Sequence, residues 1–242
     1  MRMYAELAGW YPLITPLEDY AEEAGWYRGP MLEVLGPGRH RLLELGCGAG
    51  HNAHHLAADF DLTLVDPSPQ MLALARVNCP DAALVQGDMR DLRLGRSFDA
   101  VFIHDAISYM LTRADLRAAM QTAWEHLRPG GVAVLVPDDL ADDFEPGTDC
   151  GGSDGPDGRS LRYLEWAWLH PDRPERCVVD YTLVVREGMA PARVLAVDRH
   201  EQGLFPREAW LSMLAETGFV AEERLQPYEG RNISIFVARR PG

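Results

Sequence analysis

The chain has 242 residues, 47% of them hydrophobic and 25% charged, and a formal net charge of −14. That is enough apolar material for a substantial core, which sets disorder aside, while the acidic balance disfavours a phosphate-backbone partner. Cys47, Cys79, Cys150 and Cys177 lie far apart with no C-x-x-C pair, and no apolar run nears the ~20 residues of a membrane span, so neither a disulfide framework, a zinc ribbon nor a membrane partner is indicated.

Acidic Glu6 interrupts the start of the chain before any run of signal-peptide length, and reduced thiols fit a cytoplasmic protein. From Tyr4 to Leu35 the pattern is helical and aromatic, broken by Pro12, Pro16 and Gly29-Pro30, and Gly36-Pro37-Gly38 ends it. We take residues 1–38 as an N-terminal helical cap. Strands then alternate with helices: strands at Arg41 to Leu45, Asp61 to Val65, Ala82 to Gln86, Ala100 to Ile103 and Val132 to Val136, helices at His51 to Ala58, Pro69 to Asn78 and Ala114 to Leu127. In the last helix Leu116, Met120, Trp124 and Leu127 form one stripe, and Thr112 with Asp115 reads as a capping box. This alternation predicts an α/β, doubly wound, Rossmann-like sheet over residues 39–138, with ligands at the carboxyl ends of its strands.

After Pro137 the period changes. An acidic stretch from Asp138 to Asp157 carries no Lys or Arg and reads as a solvated loop. Leu161 to His170, Cys177 to Arg186 and Arg193 to His200 then alternate in the strand period, so residues 139–205 are expected to hold an acidic loop and a small antiparallel β insert on the substrate side. Its exposed sheet could supply a homodimer interface. Residues 206–242 return to the core with a helix from Arg207 to Thr217 and a hairpin turning at Tyr228-Glu229-Gly230.

The most informative stretch is Leu42-Leu43-Glu44-Leu45-Gly46-Cys47-Gly48-Ala49-Gly50, where an apolar strand enters a loop with glycine at every second position. Strand, glycine turn and helix together place a nucleotide-like group against bare backbone. His51 stands where a dinucleotide fingerprint needs its third glycine or alanine, and no Gly-Lys-Ser/Thr follows to make a P-loop. Asp66 ends the second strand, where a carboxylate can accept from ribose hydroxyls or, more plainly, cap the next helix, a task Ser68 could do alone. Gln86-Gly87-Asp88-Met89 ends the third strand and Phe98 to His104 makes the fourth.

In this order the pieces resemble the class I S-adenosylmethionine (SAM) dependent methyltransferases, whose first motif is E/D-x-G-x-G-x-G. The resemblance covers roughly Arg41 to Val136 and the closing helix and hairpin, and implies a seven-stranded sheet with an antiparallel C-terminal hairpin. The β insert and aromatic cap are similar to those of small-molecule methyltransferases such as amino-sugar N-methyltransferases and glycine N-methyltransferase. It implies SAM as cofactor, S-adenosylhomocysteine as its product, and a methyl acceptor that is a small molecule. Gly46, Gly48 and Gly50 would line the methionine part, Asp66 the ribose, Asp88 and Met89 the adenine, and His104 with Asp105 would stand beside the reacting centre; Glu44, Pro67 and Met71 are further expected cofactor contacts. Tyr4 and Tyr20 would close the cap over it.

Methyl transfer is an in-line displacement, so positioning carries most of it and a base matters only for a hydroxyl or protonated amine. His200, ending an insert strand, is the first candidate base; Tyr109 and Tyr163 follow, with Glu165 on the same face as Tyr163. His51, His54 and His55 lack a third ligand or an H-E-x-x-H glutamate, so no metal is assigned. A nicotinamide oxidoreductase on a related sheet and a SAM-binding protein without catalysis are the rival readings.

Overall fold

The computed structural model describes residues 1–228 and 230–242. Strands β1 (His40–Leu45), β2 (Phe60–Asp66), β3 (Ala83–Gln86), β4 (Phe98–His104) and β5 (Leu127–Val136) pair in parallel, in the spatial order β3-β2-β1-β4-β5. The two closing strands, at Val220–Tyr228 and Arg231–Arg239, pair with each other, and the latter runs antiparallel beside β5, completing seven strands. Glu229, at the centre of the expected turn, lies outside the described residues. The strand order reverses between β1 and β4, the place where an open α/β sheet leaves a crevice at its carboxyl edge.

Helices cover both faces. On one, α2 (Tyr20–Leu35; α1 is the short turn Tyr11–Ile14) buries Ala24, Tyr27 and Met31 against Leu42, Phe102 and Val134, with α3 (His51–Leu56) beside it and α4 (Pro69–Asn78) behind β2 and β3. On the other, α5 (Arg113–His126) places Leu116, Ala119, Met120 and Ala123 at full burial against β4, β5 and α6 (Arg207–Thr217), each large side chain contributing about 1.5–3 kcal/mol. Thr112 caps α5 as the sequence suggests, its hydroxyl accepting from Asp115 N–H at 3.1 Å.

Three expectations change. Gly29-Pro30 does not break the N-terminal helix: α2 runs through Pro30, whose missing N–H is offset by the buried seat of Tyr27, Pro30 and Met31, and it stops only at Gly36, with φ +79°. As a result α2 is a layer of the core, and only the chain before it overhangs the crevice. The helix after the glycine loop ends at Leu56, short of Ala58. Within the acidic loop, Gly147–Gly151 forms a strand, β6, paired antiparallel with β7 (Arg159–Leu169).

The insert is therefore a four-stranded antiparallel sheet, β6-β7-β8-β9, with β8 at Arg176–Glu187 and β9 at Arg193–Gly203. Its inner face, with Leu161, Leu183, Val185 and Ala196, packs on Met3, Leu7, Leu13 and Ile14. Leu164, Trp166 and Val197 are exposed. Of the cysteines, Cys47, Cys79 and Cys177 are buried and Cys150, on β6, is exposed.

Candidate active site

A cavity of about 540 Å3 lies at the carboxyl ends of β1 and β4, floored by the glycine loop and roofed by the N-terminal segment. It is within the range of small-molecule sites. Of the expected cofactor residues, its wall includes Tyr4, Tyr20, Glu44, Gly46, Gly48, Asp66, Pro67, Asp88, Met89, His104 and Asp105. Gly50 and Met71 do not reach it. A Cβ at Gly50 would meet Cys79 Sγ at 3.2 Å and Ala75 beyond, so this glycine seats the loop on α4, and Met71 is buried among Ala8 and Ala49 behind the loop. Gly46 is the strict position at the cavity: with φ +79°, an added Cβ would also collide with Ala106.

Asp66 holds the loop. Its Oδ2 accepts the Gly48 N–H at 2.9 Å and its Oδ1 accepts the Ser68 N–H at 2.8 Å. Burial raises its pKa and these hydrogen bonds oppose the rise. The plain alternative of a helix cap falls, because Ser68 caps α4 by accepting from Met71 N–H at 3.2 Å. Asp88 is clasped by Arg90, which donates from Nη2 at 2.6 Å, Nε at 3.0 Å and its backbone N–H at 2.9 Å, holding the carboxyl below its ordinary range.

The floor beneath β1 and α3 is polar and under-satisfied. Glu44 is 3% exposed and Asn52 4%, and Glu44 Oε2 and Asn52 Oδ1 have no hydrogen-bond partner. Burial, with Asp66 nearby, lifts Glu44 to about 8. Asn52 donates to Glu23 Oε1 at 3.1 Å, and His104 Nε2 lies 3.2 Å from the same oxygen and 3.0 Å from Asp105 Oδ1. Burial lowers His104 and brings His51 down to about 4. His51 is neutral at physiological pH and lies between the rings of Tyr11 and Tyr20, at centroid distances of 5.7 and 4.9 Å. Tyr11, His51, Asn52 and Arg90 are wall residues the sequence reading missed. His51 and Asn52 directly follow the glycine string and Arg90 follows Gly-Asp-Met, so position alone could have pointed to them.

The catalytic candidates separate. Tyr109 reaches the wall, whereas His200 is fully buried behind it and Tyr163 lies away, packed over Gly151 and against Tyr181 at 6.4 Å. The expectation that His200 meets a ligand directly is therefore corrected, because the register of β9 points it inward behind the Tyr109 ring. It is linked through hydrogen bonds instead. His200 Nε2 lies 3.1 Å from Asp198 Oδ2, an acceptor that also takes the Met3 N–H at 2.7 Å. Nε2 thus carries the proton, Nδ1 accepts from Tyr109 Oη at 2.8 Å, and Tyr109 Oη accepts from Tyr4 Oη at 2.8 Å. Burial keeps His200 lowered despite Asp198.

At the rim, Asp105 has φ +24°, the one non-glycine residue with positive φ among the described residues. Its carboxyl, about half exposed, turns back to the His104 ring at the end of β4. Among the described residues there is no group of His, Cys, Asp and Glu placed to hold a metal ion.

The seven-stranded order with its antiparallel closing strand, together with the glycine loop at the switch point, defines the class I SAM-dependent methyltransferase fold. Residues 42–131 match the methyltransferase domain family. The chain is similar to a dTDP-3-amino-3,4,6-trideoxy-alpha-D-glucopyranose N,N-dimethyltransferase of Streptomyces venezuelae, 45% identical over 98 residues, which are 40% of this chain and 41% of that one. That match spans about two fifths of the relative's length. Among solved structures it is similar to Streptomyces venezuelae DesVI, with a TM-score of 0.84 and 29% identity over 97% of this chain and 98% of that one. It is also similar to SAM-bound CalS10, an amino pentose methyltransferase from Micromonospora echinaspora, with a TM-score of 0.77 and 28% identity over 91% of each chain.

Proposed function

We propose that the chain transfers a methyl group from SAM to a nitrogen of a small acceptor, an amino sugar or a natural product bearing one. The observation that carries this is the pair of buried, unpartnered acceptor atoms, Glu44 Oε2 and Asn52 Oδ1, at the wall of a cavity built over bare glycine backbone. Such atoms cost about 1–3 kcal/mol each while unsatisfied, and a cationic donor relieves both. A methionine ammonium has that chemistry, with three N–H donors on one charged nitrogen. Asp66 would take the ribose, Asp88 and Met89 the adenine, Gly46 and Gly48 the methionine stem, with Pro67 and Ser68 beside them and Tyr4 and Tyr20 above. When bound, the cofactor supplies an electrophilic methyl on a sulfonium whose departure as a neutral thioether needs no protonation.

The protein's own part is placement and exclusion of water. Tyr109, donating to His200 and accepting from Tyr4, keeps a lone pair toward the cavity and can hold an acceptor N–H in line, a fixed orientation worth several kcal/mol. In this reading His200 positions Tyr109 and Tyr163 supports the insert. The division into cap (1–38), core (39–138), insert (139–205) and closing unit (206–242) is likewise our assignment, as is a cytoplasmic location, supported by four free cysteines. No described helix is long and apolar enough to cross a membrane. A homodimer through the outer face of the insert is supported by exposed Leu164, Trp166 and Val197, and sedimentation of the free protein tests it.

The central test is a thermal shift with SAM, S-adenosylhomocysteine, NAD and NADP. At 100 times its dissociation constant a true ligand adds about 2.7 kcal/mol of stability. Stabilisation by a nicotinamide nucleotide and by neither sulfur compound overturns the proposal.

A further inference from the structure

Tyr4, Tyr109, His200 and Asp198 form a chain of hydrogen bonds that begins at the cavity wall and ends inside the insert. Tyrosine hydroxyls and a neutral imidazole can each donate or accept, so such a chain can run in either sense. In one, Tyr4 donates to Tyr109, Tyr109 to His200 Nδ1, and His200 Nε2 to Asp198. In the other, a proton on Nδ1 points at Tyr109 Oη, and the Tyr109 O–H is released toward the cavity. The spacing of 2.8 Å on either side of Tyr109 Oη suits both. The choice falls to the far end, where an ionised carboxylate can only accept.

We propose that Asp198 is a positioning residue for methyl transfer: acting through His200, it fixes Tyr109 as a hydrogen-bond acceptor toward the cavity. This rests on the methyl-transfer reading given above and adds the residue that sets the direction of its acceptor contact. An amine attacks through its nitrogen lone pair, so a tyrosine that accepts the N–H leaves that pair free to meet the methyl carbon in line. A tyrosine that donates its O–H occupies the same lone pair and blocks the attack. Asp198 and His200 lie two residues apart on β9 and so share its inner face, which lets one side chain set the tautomer of the other.

The surroundings hold the chain in this sense. Asp198 is 4% exposed, and its Oδ2 takes the Met3 N–H at 2.7 Å as well as the His200 Nε2–H at 3.1 Å. Burial pushes its carboxyl up, but the hydrogen bonds from Met3 and His200 outweigh that and hold it below its ordinary range as an anion. Burial lowers His200, so its ring is neutral and has one N–H to place. The rings of Tyr4, Tyr109 and Tyr181 enclose the imidazole at centroid distances of 5.6, 5.8 and 5.0 Å, and Asp180 on the facing strand is committed to Arg199 at 2.7 and 2.8 Å. The roof has further anchors. Ser68 Oγ donates to the Tyr4 carbonyl, and Met3 and Leu7 are buried in one cluster with Leu161 and Leu183.

The test compares Asp198→Ala, which leaves Nε2 without its acceptor, with Asp198→Asn, whose amide oxygen can still take both N–H groups. With dTDP-3-amino-3,4,6-trideoxy-alpha-D-glucopyranose as the amine probe, Asp198→Ala is expected to lose about 10–100-fold in kcat. Its KM and its S-adenosylhomocysteine affinity should stay within about 3-fold, and Asp198→Asn should keep kcat within about 5-fold of the unaltered protein. In a Tyr109→Phe background, Asp198→Ala should cost no more than about 2-fold further, because its effect passes through that hydroxyl. Losses that multiply in the double variant, or a loss that falls on cofactor affinity instead of kcat, would make Asp198 an anchor of the roof alone and overturn the proposal. Nitrogen-15 NMR of His200 in the ligand-free protein, assigned against His200→Ala, decides independently of turnover. The proton should sit on Nε2, and a ring protonated at Nδ1 in the unaltered protein also overturns it. Failure of the unaltered protein to bind S-adenosylhomocysteine sinks the methyl-transfer reading instead.

Discussion

The two sheets use similar strand-forming residues for different ends. In the seven-stranded sheet both faces are covered, Leu42, Leu43, Val101 and Phe102 having no exposure, and every polar group that matters sits at a carboxyl edge. The insert sheet is one-sided: the face toward the N-terminal segment alternates into burial at Ala196, Asp198, His200 and Gln202, while Trp166 and Val197 stay open. Function in the first is therefore a matter of where strands stop, and in the second of which parity faces in. Substitutions at the core edge should change cofactor affinity, and those on the inner insert face should change turnover.

The sharpest break of that contrast is Gly46→Ala, which meets both the Ala106 collision and an unfavourable φ. It is expected to weaken S-adenosylhomocysteine at least about 100-fold, roughly 3 kcal/mol, by calorimetry, and retained affinity would deny the loop its role. Asp66→Ala removes the acceptor of two half-buried N–H groups, and a rise of about 10–100-fold in dissociation constant is anticipated. On the insert side, His200→Ala removes one of the two hydrogen-bond partners of Tyr109 and one of those of Asp198. Turnover should fall about 10-fold while cofactor affinity holds, the separation that distinguishes positioning from binding. Unchanged turnover would remove the insert from the chemistry.

The buried titratable groups of the core edge add a pH dependence. Between 4.5 and about 8 folded Glu44 keeps a proton that the unfolded chain has released, so its contribution to stability is lost as pH rises through that window. His51 acts oppositely: its pKa is lowered from 6.5 to about 4, so its contribution is present above 6.5 and lost as pH falls toward 4. Glu44→Gln should flatten the upper slope, raising ligand-free stability at pH 8 by about 1–3 kcal/mol in denaturant melts. An unaltered slope would place the proton elsewhere.

Much of the core was legible because its signals are local. β1 to β5 are apolar runs ended by glycine or acid, and the glycine string, Asp66 and Asp88 mark strand ends without reference to anything distant. The cavity's other wall was not. Tyr11 and His51 meet from α1 and α3, and Asn52 gains its significance from Glu23 on α2 and His104 on β4. β6 was hidden for a related reason: Gly147-Thr148-Asp149-Cys150-Gly151 has no strand preference of its own, and β7 supplies the pairing. His200 is instructive in another way. Alternation put it on the inner face correctly, but no pattern within β9 could show that Tyr109, from the turn after β4, would stand between it and the cavity.

Cys150 gives these comparisons a practical handle. With the other three cysteines buried, a maleimide dye should attach at one place, on β6 within the acidic loop, in the unaltered sequence. Fluorescence from that position would then follow events in the insert while calorimetry follows the glycine loop, so that the two halves of the molecule can be watched separately within one preparation.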